Sequence, residues 1–281
     1  MTVGEAVSWV EGRLAAAGVD TPRLDAQMLV AHAIGVERPW VLAHSADKFA
    51  GDGLDGLCER REAREPLAYI LGWREFYGRR FVVTPDVLIP RQETEHLVEV
   101  AGGQPNGGTL LDLGTGSGCI AVTVKLTRPE IAVTASDVSA AALDVARANA
   151  ERLGASAESD GSVRFVLSDL YSNLAEEKFD LIVSNPPYIG TGETLMPEVQ
   201  DYEPHLALFA GDDAFAFYRR LAEESQDHLT LGGCLVVEIG GGMLHGVSTL
   251  FEEHGWHVDQ VVGDLSGNAR VLVLKPLHVY G

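Results

Sequence analysis

The hydrophobic rhythm of the chain changes near residue 109. Before it, apolar residues recur at helical spacing. Ala6, Val7, Val10 and Leu14 predict a first helix, opened by Thr2 and Glu5 at capping-box spacing and stopped by Gly18. Thr21-Pro22 opens a second, with Leu24, Met28, Leu29 and His32 on one side. Shorter helices are expected over Trp40–His44 and from about Leu54 to Arg64, ahead of Pro66. The charged run Glu59–Glu65 reads as a solvated face. Residues 67–91 predict a hairpin linker, two short strands around Gly78 followed by Pro85 and Pro90.

From Thr109 short apolar runs alternate with helical patterns. Strands are predicted at Leu110–Leu113, Ala132–Ala135, Val163–Leu167, Leu181–Ser184 and Cys234–Ile239, with two more near Trp256–Val262 and Arg270–Leu274. Helices are predicted at Ile120–Leu126, Ser139–Leu153 and Phe215–Leu229. Such alternation implies an α/β fold, a Rossmann-like, doubly wound, mostly parallel sheet covered on both faces. The expected organisation is a helical bundle over residues 1–66, suited to docking a substrate, a hairpin linker over 67–91, and a catalytic domain over 92–281.

Charge narrows the partners. The net charge is −20 over 281 residues. Residues 1–85 hold 12 acidic and 10 basic side chains, and residues 86–281 hold 29 and 11. Stable nucleic-acid binding is not expected, because it rests on Lys and Arg neutralising phosphates. No apolar run approaches the roughly 20 residues of a membrane span, and no signal peptide is apparent. Cys58, Cys119 and Cys234 lie far apart and form no metal spacing. They read as small buried hydrophobes in a reducing, cytoplasmic setting.

Two motifs carry chemistry. Gly114-Thr115-Gly116-Ser117-Gly118 follows the first strand of the α/β region and precedes a helix. Its third glycine comes one residue too early for a dinucleotide fingerprint. The spacing favours S-adenosylmethionine over a nicotinamide cofactor. Asp137, at the end of the second strand, is placed to bind ribose hydroxyls or to cap the following helix. Asp169 and Leu170, at the end of the third, are placed to meet an adenine or to form a turn. The second motif, Asn185-Pro186-Pro187-Tyr188, ends a central strand. Two prolines remove two N–H donors and stiffen the loop. An amide side chain, free carbonyls and an aromatic ring are left to hold a planar NH2 group.

With both motifs in place, the chain resembles the protein-(glutamine-N5) methyltransferases that act on peptide chain release factors, which are class I enzymes using S-adenosylmethionine. The match runs from about Pro66 to Arg270. It includes Pro66-Leu67-x-Tyr69-Ile70-x-Gly72, Glu75-Phe76-Tyr77-Gly78, Leu88-Ile89-Pro90-Arg91-x-Glu93-Thr94-Glu95 and Tyr202-Glu203-Pro204. Gln92 stands where the family usually has proline, and Gly241-Gly242 replace a stretch where glutamine is expected. The resemblance implies methyl transfer to the glutamine of a Gly-Gly-Gln motif in a release factor. It implies that Asn185, Pro186 and Tyr188 are catalytic. Pro187, Arg91 and Glu93 would join them in holding substrate, though Arg91, Glu93 and Glu95 could equally pair with one another. Asn185 would also reach the cofactor. No metal is expected. Other readings stay open: a ribosomal-protein glutamine as acceptor, adenine-N6 methylation, or a binding module without activity.

Overall fold

The structure, a computed structural model, describes residues 1–103, 108–156 and 162–277. It divides into two compact units. One comprises Met1–Trp73 together with Leu195–Tyr202, and the other Arg74–Thr194 with Glu203–Gly281.

The first unit starts as its sequence dictates. In α1 (Val3–Ala16) the Glu5 N–H donates to Thr2 Oγ1 at 3.2 Å, and the Thr2 N–H donates back to Glu5 Oε2 at 2.7 Å. This reciprocal pair satisfies helix-end donors that would otherwise be orphaned. The α2 helix (Pro22–Ile34) begins with proline and stops at left-handed Gly35. Its buried side carries Asp25, Ala26, Leu29 and Val30, while Leu24 and His32 are exposed. The reason is an ion pair: Asp25 accepts from Arg61 Nε at 2.7 Å, which draws position 25 inward. Helices α3 (Arg38–Ala43), α4 (Leu54–Glu62) and α5 (Leu67–Leu71) complete the run, and Ile70 and Leu71 join the bundle core. The segment expected to open the linker is therefore helical at its start.

Arg61 also corrects the reading of the 59–65 run as a solvated face. It is buried, and besides Asp25 it reaches Glu198 Oε1 at 3.1 Å. Arg64 Nε lies 2.7 Å from the same carboxylate. Burial alone would raise the Glu198 carboxyl, but Arg64 and Arg61 hold it below the usual range.

A hairpin with a two-residue turn follows, β1 (Trp73–Phe76) and β2 (Arg79–Val82), and all of it but Trp73 belongs to the second unit. Tyr77 and Gly78 both have positive φ, 50° and 69°. That conformation matches the twist of the flanking strands. A 3-10 turn (Gln92–Thr94) leads into α6 (Glu95–Gly103). Then follow β3 (Thr109–Leu113), α7 (Cys119–Thr127), β4 (Ala132–Asp137), α8 (Ala140–Leu153), β5 (Arg164–Leu167) and β6 (Phe179–Ser184). The short β7 (Ile189–Gly190) precedes α9 (Pro197–Tyr202), which belongs to the first unit. The chain continues through α10 (His205–Leu208), β8 (Phe209–Gly211), α11 (Ala216–Glu224), β9 (Leu229–Glu238), α12 (Leu244–Glu253), β10 (Trp256–Gly263) and β11 (Ala269–Pro276).

Seven strands form one sheet in the order β10-β11-β9-β6-β3-β4-β5. The five from β9 to β5 are parallel, and β11 and β10 add antiparallel at one edge. Alternate residues face opposite cores, so Leu110, Leu181 and Val236 pack with α6 and α7, and Leu111, Ile182 and Leu235 with α11 and α12. Burial on both faces explains why these strands read as continuous apolar runs. The chain order reverses between β3 and β6, the place where ligands bind in open α/β sheets. Among the described residues no helix is long and apolar enough to cross a membrane.

Candidate active site

The carboxyl ends of β3, β4, β5 and β6 surround one cavity of about 930 Å³, counting its open mouth. The loop after β3 contributes Gly114 and Gly116, with φ of 70° and 54°. A Cβ on either would meet no protein atom within 4 Å, so these glycines leave open space beside the cavity. Gly118 acts differently. It caps α7, and a Cβ there would lie 3.1 Å from that of Ala146, so it permits close packing of α8. Thr115 and Ser117 are buried and do not line the cavity. The Thr115 hydroxyl donates to Asp112 Oδ2 at 2.6 Å, and the Ser117 carbonyl accepts from Asn149.

Asp112 is fully buried, and burial pushes its carboxyl up to about 7 against hydrogen bonds from Thr115 and Ala121. Its Oδ1 has no partner among the described residues. Asp137, on the neighbouring strand end, lines the cavity and accepts from the N–H groups of Gly116 and Ser139, both at 2.9 Å. The helix cap is Ser139, whose hydroxyl accepts from the Ala142 N–H. Burial nevertheless raises the Asp137 carboxyl. Asp169 and Leu170 line the same cavity after β5. Leu170 has φ 46°, uncommon for a non-glycine residue, and Asp169 Oδ1 accepts from Arg220 at 2.8 Å. Val138, Leu206 and Phe217 add apolar surface that sequence reading missed.

Asn185, Pro186 and Pro187 line the same cavity. Asn185 Nδ2 donates to Thr94 Oγ1 at 3.2 Å. Tyr188 is half-buried outside the cavity lining, where burial raises its hydroxyl with Glu238 adding to the effect. Its ring packs so closely on Gly240 that a Cβ there would sit 2.9 Å from it.

The Arg91–Glu95 segment does not line the cavity. Arg91 pairs with buried Glu203, whose other oxygen accepts from the Ile89 N–H at 3.0 Å. Glu95 accepts from the Tyr77 N–H at 2.8 Å and so holds the hairpin turn. Glu93 is half-buried among the charges around Tyr188 and Glu238. Thr94 and Glu238 are the residues whose position at the site sequence reading did not assign.

A solved methyltransferase from Pyrococcus furiosus shares this fold, with a TM-score of 0.52 at 20% identity, covering 71% of this chain and 89% of that one. Fold and site together define a class I methyltransferase. Residues 92–200 match the family described as methyltransferase small domain, and residues 5–72 match the PrmC N-terminal domain. Release factor glutamine methyltransferases from Geobacter sulfurreducens and Cereibacter sphaeroides are 40% and 42% identical to the chain. The alignments cover 96% and 97% of this chain and 95% and 98% of those relatives. The chain belongs to the release factor glutamine methyltransferase family.

Proposed function

We propose that this protein methylates the side-chain amide nitrogen (N5) of the glutamine in the Gly-Gly-Gln motif of peptide chain release factors, in the cytoplasm, with S-adenosylmethionine as donor. The observation that carries the reading is that one cavity is lined both by Gly114, Gly116 and Asp137 and by Asn185, Pro186 and Pro187. A donor site and an acceptor site thus share a single space.

The residues fit the cofactor. The two glycines leave room for close approach of a ligand. The Asp137 carboxylate is the natural acceptor for ribose hydroxyls. Leu170 offers apolar surface to an adenine, and Asp169 offers a carboxylate oxygen that Arg220 does not bind. When bound, S-adenosylmethionine supplies a methyl group on a sulfonium sulfur. Everything else falls to the protein. An amide nitrogen is a weak nucleophile because its lone pair is delocalised. Asn185 Oδ1 and the Pro186 carbonyl would accept its two N–H bonds, placing the nitrogen in line and raising its electron density. The prolines hold those acceptors in place beforehand, so little reorganisation is needed. Tyr188 supports the loop from behind, and Arg91 and Glu93 would meet the rest of the substrate.

The test incubates the protein with labelled S-adenosylmethionine and, separately, release factor, ribosomal protein and DNA. Label should appear on the glutamine of the release factor. Label confined to ribosomal protein or to DNA would overturn the reading.

A further inference from the structure

Arg270, at the start of β11, is a cation held by one end only. The Ile239 N–H donates to its carbonyl at 2.8 Å, which sets the residue beside the carboxyl end of β9. Its Nε donates to Asp264 Oδ2 at 2.9 Å. The other oxygen of Asp264 accepts from the N–H groups of Ser266 and Asn268, at 2.9 and 3.0 Å, so the turn between β10 and β11 closes without the rest of the guanidinium. Nη1 and Nη2 have no hydrogen-bond partner among the described residues. An arginine fork fixed at one end is a preorganised donor and loses little rotamer entropy when it binds.

Access to that fork is open. Gly240 is required by packing against Tyr188 and Met243, and Gly242 by its φ of 81°. Gly241 meets neither demand. Its φ lies outside the left-handed region, and within 4 Å a Cβ there would meet only Arg270 Nη1, at 3.8 Å. Gly241 is exposed, so the missing side chain leaves a clear approach to the guanidinium. The place is continuous with the candidate acceptor loop, because Tyr188, which ends that loop, packs on Gly240.

We infer that the Arg270 guanidinium binds a main-chain carbonyl of the polypeptide segment that carries the methyl-accepting glutamine, with that segment laid across Gly241. The inference rests on the proposed reading of a protein glutamine as the acceptor. An N–H fork matches carbonyl oxygens, and a polypeptide offers one at every residue. A phosphate would suit the same fork, but a chain of net charge −20 disfavours a nucleic-acid backbone in its place. Arg270 thus fixes the course of the acceptor chain beside Tyr188, while Asn185 and Pro186 hold the amide itself.

Two variants of the full chain test this with unmethylated release factor as the probe. Arg270→Ala removes the donor. Gly241→Leu covers it from the solvent side without touching the hairpin. Each should raise KM for release factor at least tenfold, with a smaller change in kcat, while the Kd for S-adenosylmethionine stays within about twofold. Wild-type KM in either variant would overturn the inference. In particular, a rise in Arg270→Ala without one in Gly241→Leu would assign Arg270 to the hairpin alone. If the wild type labels a ribosomal protein and leaves release factor unmethylated, the proposed substrate falls, and KM for that protein in the same two variants decides the role of Arg270. Label on DNA alone would overturn both.

Discussion

The Gly116 N–H and the Asp137 carboxylate are joined at 2.9 Å, so the acid that faces the cavity also fastens the glycine loop across two strand ends. The other oxygen of that carboxylate holds the Ser139 N–H. Asp137→Ala should therefore release the loop and remove the ribose acceptor together. The expected result is at least a tenfold rise in Kd for S-adenosylmethionine, about 1.4 kcal/mol, measured by calorimetry. Asp137→Asn has one acceptor oxygen for two backbone donors and should fall between. An unchanged Kd in the alanine variant would remove Asp137 from the cofactor site.

Gly240 should tolerate no side chain. A Cβ would lie 2.8 Å from Met243 Sδ and 2.9 Å from the Tyr188 ring. Gly240→Ala must displace the ring that backs the Asn185 loop, and overpacking of this kind costs about 1–3 kcal/mol. Turnover should drop roughly tenfold with little change in cofactor affinity, each 1.4 kcal/mol being a factor of ten. Equal turnover in variant and wild type would show that Tyr188 does not set the loop.

Arg61 serves two buried carboxylates at once, through Nε to Asp25 and through its terminal nitrogens to Glu198. Arg61→Met would leave Asp25 without its cation and should destabilise the first unit by about 3–5 kcal/mol. Arg61→Lys should recover little, because a single ammonium cannot reproduce the fork. Urea unfolding followed by helical circular dichroism reads both, and full stability of the lysine variant would contradict the geometry.

Asp112 gives stability a pH dependence. Its carboxyl is raised by burial from 3.8 to about 7. The folded state therefore holds the proton more tightly than the unfolded chain does. The stability this contributes is complete below the unfolded pKa and disappears as pH rises toward about 7. Asp112→Asn cannot ionise and should lack this slope. Its stability relative to wild type should be more favourable at pH 8 than at pH 5 in urea titrations. The same gap at both pH values would mean that Asp112 does not carry the shift.

The central sheet was legible because strands buried on both faces leave unbroken apolar runs, as in Leu110–Leu113 and Leu181–Ser184. Helix α6 was hidden because it follows directly on the charged Arg91–Glu95 segment, which drew the eye as a motif. Helix α12 follows three glycines that read as a loop. Phe215–Leu229 was read as one helix, but α11 ends at Glu224 and a 3-10 turn follows. Glycine loop and Asn185 loop could be paired from sequence, since each directly follows a predicted strand of an open α/β sheet and ligands bind at such strand ends. The Thr94–Asn185 contact could not, because its partners lie 91 residues apart and neither shows a periodic signal. For the same reason Arg61 passed as a surface charge: Glu198, its partner, is 137 residues away.

Helix α9 is drawn from the middle of the chain yet belongs with the first 73 residues. The helical unit is thus not a detachable cassette. A truncation that starts the chain at residue 74 would carry away Arg61 and Arg64 and strand Glu198 on a segment with nothing to fold against. A chimaera that exchanges the helical unit between relatives must exchange residues 195–202 with it. Two distant stretches of the chain, 1–73 and 195–202, are therefore obliged to change together as one inherited piece.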